Sequence, residues 1–315
     1  MTEFELIERV FAPLAADGAA GVVLGIGDDG AVLTPRAGEE LVVVTDTMVA
    51  GRHFPDDLAP ADIGYRALAV NVSDLAAMGA TPLWFQLALT LPAIDPPWVR
   101  DFAEGLGEAA RAYRLELTGG DVTRGALTIT VTAIGAVAAG AALTRSGARP
   151  GDAVFVSGTL GEAGLAVEAD AGRLQPPDAA TLSRWRDRLA RPPARVTLGA
   201  RLLGLATAAI DVSDGLVQDL GHIARRSDVA VVLERAALPV ADPDLPEAVH
   251  MALTGGDDYE LAFTAPAADE ARIRRLAAPV PVTRIGRVDV GGPSVTVLAP
   301  DGRALAVGPG GYSHF

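Results

Sequence analysis

The chain of 315 residues has no cysteine, and although 26 of its residues are basic, none of them is lysine. The first absence excludes a disulfide framework, a thiolate zinc site and a cysteine nucleophile. The second excludes a P-loop, whose G-x-x-x-x-G-K-[ST] lysine sits on the phosphates, and the strand lysine of a protein kinase. Schiff-base chemistry on a lysine is excluded with them. Aromatic residues make up only 5% of the chain, and no basic, aromatic-laced stripe suggests a nucleic-acid surface. A net charge of −14 argues in the same direction for nucleic acid and for anionic membranes. No apolar run approaches the ~20 residues that a spanning helix needs. The opening "MTEFELIERVF" has neither the basic region nor the apolar core of a signal peptide, so the expected compartment is the cytoplasm.

What is present is a mixed α/β pattern. The first segment reads as a helix, with Thr2 and Glu5 as a capping box and Ile7, Val10, Phe11 and Leu14 on one face. Strands are expected at 41–49, 83–91 and 127–137, the last alternating apolar residues with threonine as a half-buried, one-faced antiparallel strand does. Helices are expected at 62–79, and from Pro96 to about Arg114 with Asp95 at the cap. The small, glycine-rich stretch 138–152 marks a boundary, giving an N-terminal α+β domain (1–140) and a C-terminal α/β domain (141–315). In the second domain, strands are expected at 153–158, 229–234, 259–264 and in "PVTRIGRVDV". Helices are expected in "EAGLAVEA", "RWRDRLARPP", "ARIRRLAA" and at 215–227. "NVSDL" (71–75) followed by "GGD" echoes "DVSDG" (211–215) followed by "GGDD", as either two halves of one plan or coincidence.

Acids recur where solubility does not require them. Asp28 and Asp29 lie between apolar runs, Asp46 interrupts "VVVTDTMV", and Asp74 lies in an apolar helical stretch. Asp121 follows Gly119-Gly120, Asp211 and Asp214 follow "AAI", and Asp257 and Asp258 follow Gly255-Gly256. Each alone has an ordinary reading as a glycine turn, a helix cap or a strand end. Together they form a set of hard oxygen donors, costly to bury unless paired or metal-bound, and suited to Mg²⁺ with a polyphosphate. Calcium has no D-x-[DN]-x-[DN]-G loop here, and the four histidines (His53, His222, His250 and His314) have no zinc-ligand spacing. Arg145 and Arg124, both in glycine-rich stretches read as loops, are available to a phosphate or to solvent.

The motifs "GIGDDGAVL", "TDTMVAGRHF", "GYRALAVNVSDLAAMGATP", "GGDVTRG", "LTRSGARPGD", "IDVSDGLVQDLGHI", "LTGGDDYELAFT" and "GYSHF" stand in the order in which they occur in the thiamine-monophosphate kinase family. The chain resembles that family from about residue 4 onward. More distant likenesses are aminoimidazole ribonucleotide synthetase, selenophosphate synthetase and a hydrogenase-maturation protein, which share the fold. Another ATP-dependent enzyme of that superfamily, or a catalytically silent nucleotide-binding protein, is the alternative.

The resemblance implies an aminoimidazole ribonucleotide synthetase-like two-domain fold. It implies in-line phosphoryl transfer from ATP to thiamine monophosphate, assisted by several Mg²⁺ ions, in a homodimer formed through the N-terminal sheets. By position it implies metal ligands at Asp29, Thr45, Asp46, Asp74, Asp121, Asp211 and Asp214, of which Asp46, Asp74, Asp121 and Asp211 are central to catalysis. Nucleotide contacts are implied at Gly120, Asp121, Arg145 and Ser213, and substrate contacts at His53, Asp257 and Tyr312. The family usually has glutamate where this chain has Asp257, one methylene shorter.

Overall fold

The computed structural model describes residues 2–15, 20–307 and 311. Clustering of the backbone divides the chain into two compact units, Met1–Leu75 with Ala80–Gly140, and Ala76–Gly79 with Ala141–Phe315.

The first unit opens with the expected capping box: Thr2 Oγ1 accepts from Glu5 N at 3.2 Å and Glu5 Oε2 accepts from Thr2 N at 2.9 Å. The helix it starts, α1 (Glu3–Leu6), is shorter than the pattern predicts. It passes into a wider π-turn (Ile7–Phe11) and a tight turn (Ala12–Leu14), where Pro13 has no N–H to continue the ladder. A short hairpin, β1 (Val22–Leu24) and β2 (Val32–Leu33), follows.

A four-stranded sheet is then built in the order β3 (Glu39–Val49), β6 (Thr128–Ala138), β4 (Thr81–Leu91), β5 (Glu116–Arg124). The first two pairings are antiparallel, whereas β5 joins β4 in parallel, through the connecting helix α3 (Pro96–Tyr113). One face of the sheet is buried, carrying Val42, Met48, Leu87, Leu89, Ile129 and Val131. Helix α2 (Pro60–Ala77) packs there, with Leu75 against Gly135. Trp84 is fully buried and donates from its indole N–H to Ala20 O at 3.3 Å.

Three expectations are corrected here. The "GGDVTRG" segment is edge strand rather than loop, so Arg124 ends a strand. Asp95 occupies the cap position of α3 without a side-chain capping bond. The echo does not hold either, because "NVSDL" lies inside α2 whereas "DVSDG" leaves the end of a strand.

The second unit is a seven-stranded mixed sheet in the order β13 (Ala304–Leu305), β12 (Ser294–Leu298), β9 (Ala230–Glu234), β11 (Val282–Asp289), β7 (Asp152–Ser157), β10 (Leu261–Pro266), β8 (Ala208–Asp211). All pairings are antiparallel except β12 with β9. β7 is buried along its whole length, which explains its unbroken apolar run. Val154 and Val156 join one apolar cluster with Leu216, Leu220 and Ile223 of α7 (Leu216–Ser227). Ala153 and Phe155 join another with Phe263, and with Leu198 of α6 (Val196–Leu202) and Ile273 of α9 (Glu270–Ala277). Helices α4 (Glu162–Asp170), α5 (Ala179–Ala190) and α8 (Ala248–Thr254) complete the unit. In α5 Trp185 is fully buried and donates to Asp242 Oδ2 at 2.7 Å.

An ionic cluster lies at the start of β10. Glu260 is fully buried and accepts from Ser157 Oγ at 2.5 Å, from Arg195 through Nε at 2.7 Å and a second guanidinium nitrogen at 2.5 Å, and from Arg188. The side chains of Arg188 and Arg195 are only 15% and 20% exposed.

Candidate active site

In the first unit Thr45, Asp46, Gly120 and Asp121 fall on two faces of one sheet, Asp74 on the helix that covers it, and Asp29 and His53 in loops. Asp46 pairs with Val131 and points to the helix-covered side, while its neighbours Thr45 and Thr47 point to the uncovered side. There the threonine hydroxyls form two cross-strand bonds, Thr45 to Thr132 at 3.0 Å and Thr47 to Thr130 at 2.8 Å. Beneath Asp46, Asn71 of α2 accepts from the Asp46 backbone N–H at 2.9 Å and donates to Ala67 O at 3.0 Å. Asp74, three residues on, shares that side of α2, which brings it toward Asp46. Both aspartates are half-buried.

His53 follows β3 in a tight turn, and its Nδ1 accepts from Val49 N at 3.0 Å, so the neutral ring carries its proton on Nε2. Asp29 is exposed in the loop between β1 and β2, where Asp28 accepts its backbone N–H at 2.8 Å. Asp121 lies on β5 in the row Asp121–Ala88–Thr130–Thr47, which places it on the uncovered face. Asp46 and Asp121 thus occupy opposite edges of the sheet, roughly 14 Å apart at the usual strand spacing, and the fold of this unit does not bring them together. Gly120 has a steric cause: a Cβ there would lie 1.9 Å from Leu87 O.

In the second unit the predicted residues converge. β8 ends at Asp211, and the chain turns through Val212–Gly215 into α7. The segment 257–260 runs beside this turn. Val212 N donates to Glu260 O at 2.8 Å, Tyr259 N to Val212 O at 2.8 Å, and Asp257 N to Ser213 O at 2.8 Å. Gly256 (φ +67°) makes the approach feasible, since a Cβ would stand 2.5 Å from Ser213 O. Asp257 and Tyr259 also hold positive φ, 58° and 49°, and the Tyr259 hydroxyl donates to Asp257 Oδ1 at 3.1 Å. Such sparsely populated backbone persists only where the surroundings over-determine it.

Asp211, Ser213, Asp214 and Asp257 are therefore gathered at one end of the sheet. The Arg145 backbone lies away from them: Thr144 O accepts from Ala209 N of β8 at 2.9 Å, the chain runs on toward Thr207 before that strand, and Arg145 O accepts from Ser227 Oγ at 3.3 Å, at the far end of α7 from the turn. The following loop is pinned by Ser227, whose hydroxyl accepts from Gly147 N and Ala148 N at 3.1 and 3.2 Å. Tyr312 lies outside the described residues.

Sequence reasoning missed two groups here, Asp219 and His222, and counted a third, Asp258, only among the recurring acids. Asp219 of α7 is buried, and its Oδ2 accepts from the N–H groups of Ser213, Asp214 and Gly215, each at 3.1 Å. Burial, and then the charges of Asp211 and Asp214, push its carboxyl well above the usual range. His222, on the same helix, accepts from Arg225 at 3.1 Å on Nδ1. Burial lowers its pKa, aided by Arg225 and Arg145 and opposed by Asp214, so it stands in the field of two predicted site residues. Asp258 is fully buried beside Asp257, accepts from Gly161 N at 2.8 Å, and has a second oxygen with no hydrogen bond. Burial foremost raises its pKa well above the usual range. The spacing of Asp219 from Asp214, one helical turn and a residue, was the available signal.

Among the described residues no three histidine, aspartate or glutamate side chains are arranged to hold a metal ion unaided. The donors that are gathered are carboxylates and hydroxyls. Their chemistry fits Mg²⁺, which takes one or two carboxylates and completes its shell with water and substrate phosphate. It does not fit a softer ion.

Residues 27–137 match the family model of the AIR synthase related protein N-terminal domain, and residues 149–298 that of the C-terminal domain. The chain is 42% identical to thiamine-monophosphate kinase of Escherichia coli (strain K12) over 322 aligned residues, covering 99% of this chain and 98% of that protein. Among solved structures it matches thiamine-monophosphate kinase from Stenotrophomonas maltophilia K279a with 46% identity and a TM-score of 0.86, covering 97% and 98% of the two chains. It also matches AaThiL complexed with AMPPCP and TMP with 32% identity and a TM-score of 0.78, covering 99% and 97%. With an acid-lined strand end of the kind its motifs imply, and likeness along its whole length, the chain belongs to the thiamine-monophosphate kinase family.

Proposed function

We propose that this protein transfers the γ-phosphoryl group of ATP to thiamine monophosphate, giving ADP and thiamine diphosphate by direct in-line displacement. The observation that carries the reading is full-length likeness to thiamine-monophosphate kinases, one of them complexed with AMPPCP and TMP. The gathering of Asp211, Ser213, Asp214 and Asp257 at one end of the second sheet supports it.

The acceptor is a phosphate oxygen already ionised near neutral pH, so no side chain need act as general base. One P–O bond forms from that oxygen to the γ-phosphorus as the bond to the β-phosphate oxygen breaks. The main obstacle is mutual repulsion, ~4 kcal/mol per pair of unit charges at ~4 Å and an effective dielectric of 20. Mg²⁺, when bound, supplies the positive charge that offsets this repulsion. Asp29, Thr45, Asp46, Asp74, Asp121, Asp211 and Asp214 would hold several such ions, Asp46 and Asp121 serving different ones because they lie at opposite edges of their sheet. Arg145, Gly120 and Ser213 would position the nucleotide, and His53, Asp257 and Tyr312 the acceptor.

The segment 1–140 serves ATP, Mg²⁺ and dimerisation in this reading, and 141–315 completes the substrate site. The exposed Leu41 and Val43 on the uncovered sheet face support a homodimer. Among the described residues no helix is long and apolar enough to cross a membrane. Incubation with ATP, Mg²⁺ and thiamine monophosphate, followed by ³¹P NMR, tests the activity. New diphosphate signals with equimolar ADP are expected. AMP with pyrophosphate, or no change, would overturn the proposal.

A further inference from the structure

The turn leaving β8 shows where its backbone polar groups go. Val212 donates to Glu260 O and accepts from Tyr259 N; Ser213 O accepts from Asp257 N; Gly215 O accepts from Asp219 N at 2.9 Å. The three successive N–H groups of Ser213, Asp214 and Gly215 all point to a single oxygen, Oδ2 of Asp219. Three adjacent amides aimed at one point form the concavity that elsewhere cradles a phosphate. Here a buried carboxylate of the chain itself fills it. The adjacent residue Gln218 donates from Nε2 to Asp214 Oδ2 at 3.1 Å, so consecutive positions of α7 grip the turn by its backbone and by its acid.

We propose that Asp219 is a positioning residue of the nucleotide site: it clamps the turn so that Asp211, Ser213 and Asp214 present side chains, and no amides, to the ligand. The proposal rests on the kinase reading for the ligand and on geometry alone for the clamp. An anion approaching this turn meets carboxylates and a hydroxyl, so it binds there through a divalent cation. Asp219 itself touches neither phosphate nor cation. Asparagine at 219 retains a carbonyl oxygen for the three N–H groups, whereas alanine retains none.

The test uses the full chain with Asp219→Asn and Asp219→Ala. Amide hydrogen exchange followed by NMR reads the clamp without any ligand. Protection of the 213–215 amides is expected in the parent and in Asp219→Asn, with a loss of at least tenfold in Asp219→Ala. Calorimetric titration with Mg²⁺ and the non-hydrolysable AMPPCP reads the consequence. Asp219→Ala is expected to weaken Mg²⁺-dependent binding about tenfold or more, at a temperature where it remains folded. Asp219→Asn should stay within about threefold of the parent.

Unprotected 213–215 amides in the parent would overturn the clamp. So would an Asp219→Asn variant as impaired as Asp219→Ala, because charge rather than hydrogen bonding would then be the cause. Normal affinity in a folded Asp219→Ala with exchanging amides would overturn the positioning role. If the parent binds Mg²⁺ and AMPPCP but does not phosphorylate thiamine monophosphate, the kinase reading fails while the clamp stands. A parent that binds neither overturns the positioning role, and the exchange data still decide the clamp.

Discussion

Replacing Glu260 by glutamine changes the core of the second unit by one charge and almost no volume. Glu260 is inaccessible to solvent, and Ser157, Arg188 and Arg195 all donate to its two oxygens. A glutamine keeps one acceptor but turns an N–H₂ group toward guanidinium donors, leaving two largely buried cations without their counter-charge. Breaking a buried pair from one side costs about 3–5 kcal/mol. Because Arg188 and Arg195 retain 15% and 20% exposure and so some access to water, the lower end applies, about 3 kcal/mol. At roughly 2–4 °C per kcal/mol for a unit of this size, the melting temperature should fall by about 6–12 °C.

Scanning calorimetry of Glu260→Gln, Arg195→Gln and the double variant measures this, and the double should lose less than the sum of the singles. As an internal contrast, the Arg274–Glu270 pair is 54% and 28% exposed, so Glu270→Gln should cost about 0–0.5 kcal/mol. A fall of less than 2 °C in Glu260→Gln, or strict additivity, would show that the cluster is not coupled as its geometry requires.

Other outcomes follow from single sites. Asp258 holds its proton to higher pH in the fold than in the unfolded chain, so its ionisation costs stability as pH rises from about 4 toward its raised folded value. Asp258→Asn keeps an oxygen for Gly161 N and should gain in melting temperature over the parent as pH rises from 5 to 8; a pH-independent difference would refute this. Gly120→Ala forces a Cβ toward Leu87 O and should cost about 2–3 kcal/mol in urea unfolding, with weakened ATP binding from displacement of β5. Asp74→Asn should slow phosphoryl transfer by about 10²-fold or more at saturating Mg²⁺, while its melting temperature stays near the parent's. Near-normal turnover would remove Asp74 from the site.

Local patterns were legible in the sequence where a short-range cause decides the structure. The Thr2–Glu5 box is made as written, and the threonine alternation of 127–137 becomes the buried and open faces of β6. "GGDVTRG" misleads because paired glycines usually mark a turn. In this sheet Gly120 instead answers a close approach of the neighbouring strand, a cause that lies 33 residues away at Leu87. Glu260 carries no local signal of its role, because its partners Arg188 and Arg195 stand 72 and 65 residues away in the chain. Asp219 reads as an ordinary polar position of an amphipathic helix until the fold closes the turn over it. The acids that the motifs pointed to on β8 are gathered as their order suggests, while the register of the first sheet puts Asp46 and Asp121 at opposite edges.

The two buried tryptophans have an optical consequence. Trp84 in the first unit and Trp185 in the second are each shielded from water and each tied by the indole N–H, one to a peptide carbonyl and one to Asp242. Each unit thus carries its own shielded fluorophore. Trp185→Phe would leave only the first unit's Trp84 and half-buried Trp98 fluorescing, so comparing its unfolding emission with the parent's reads the order in which the two units lose structure.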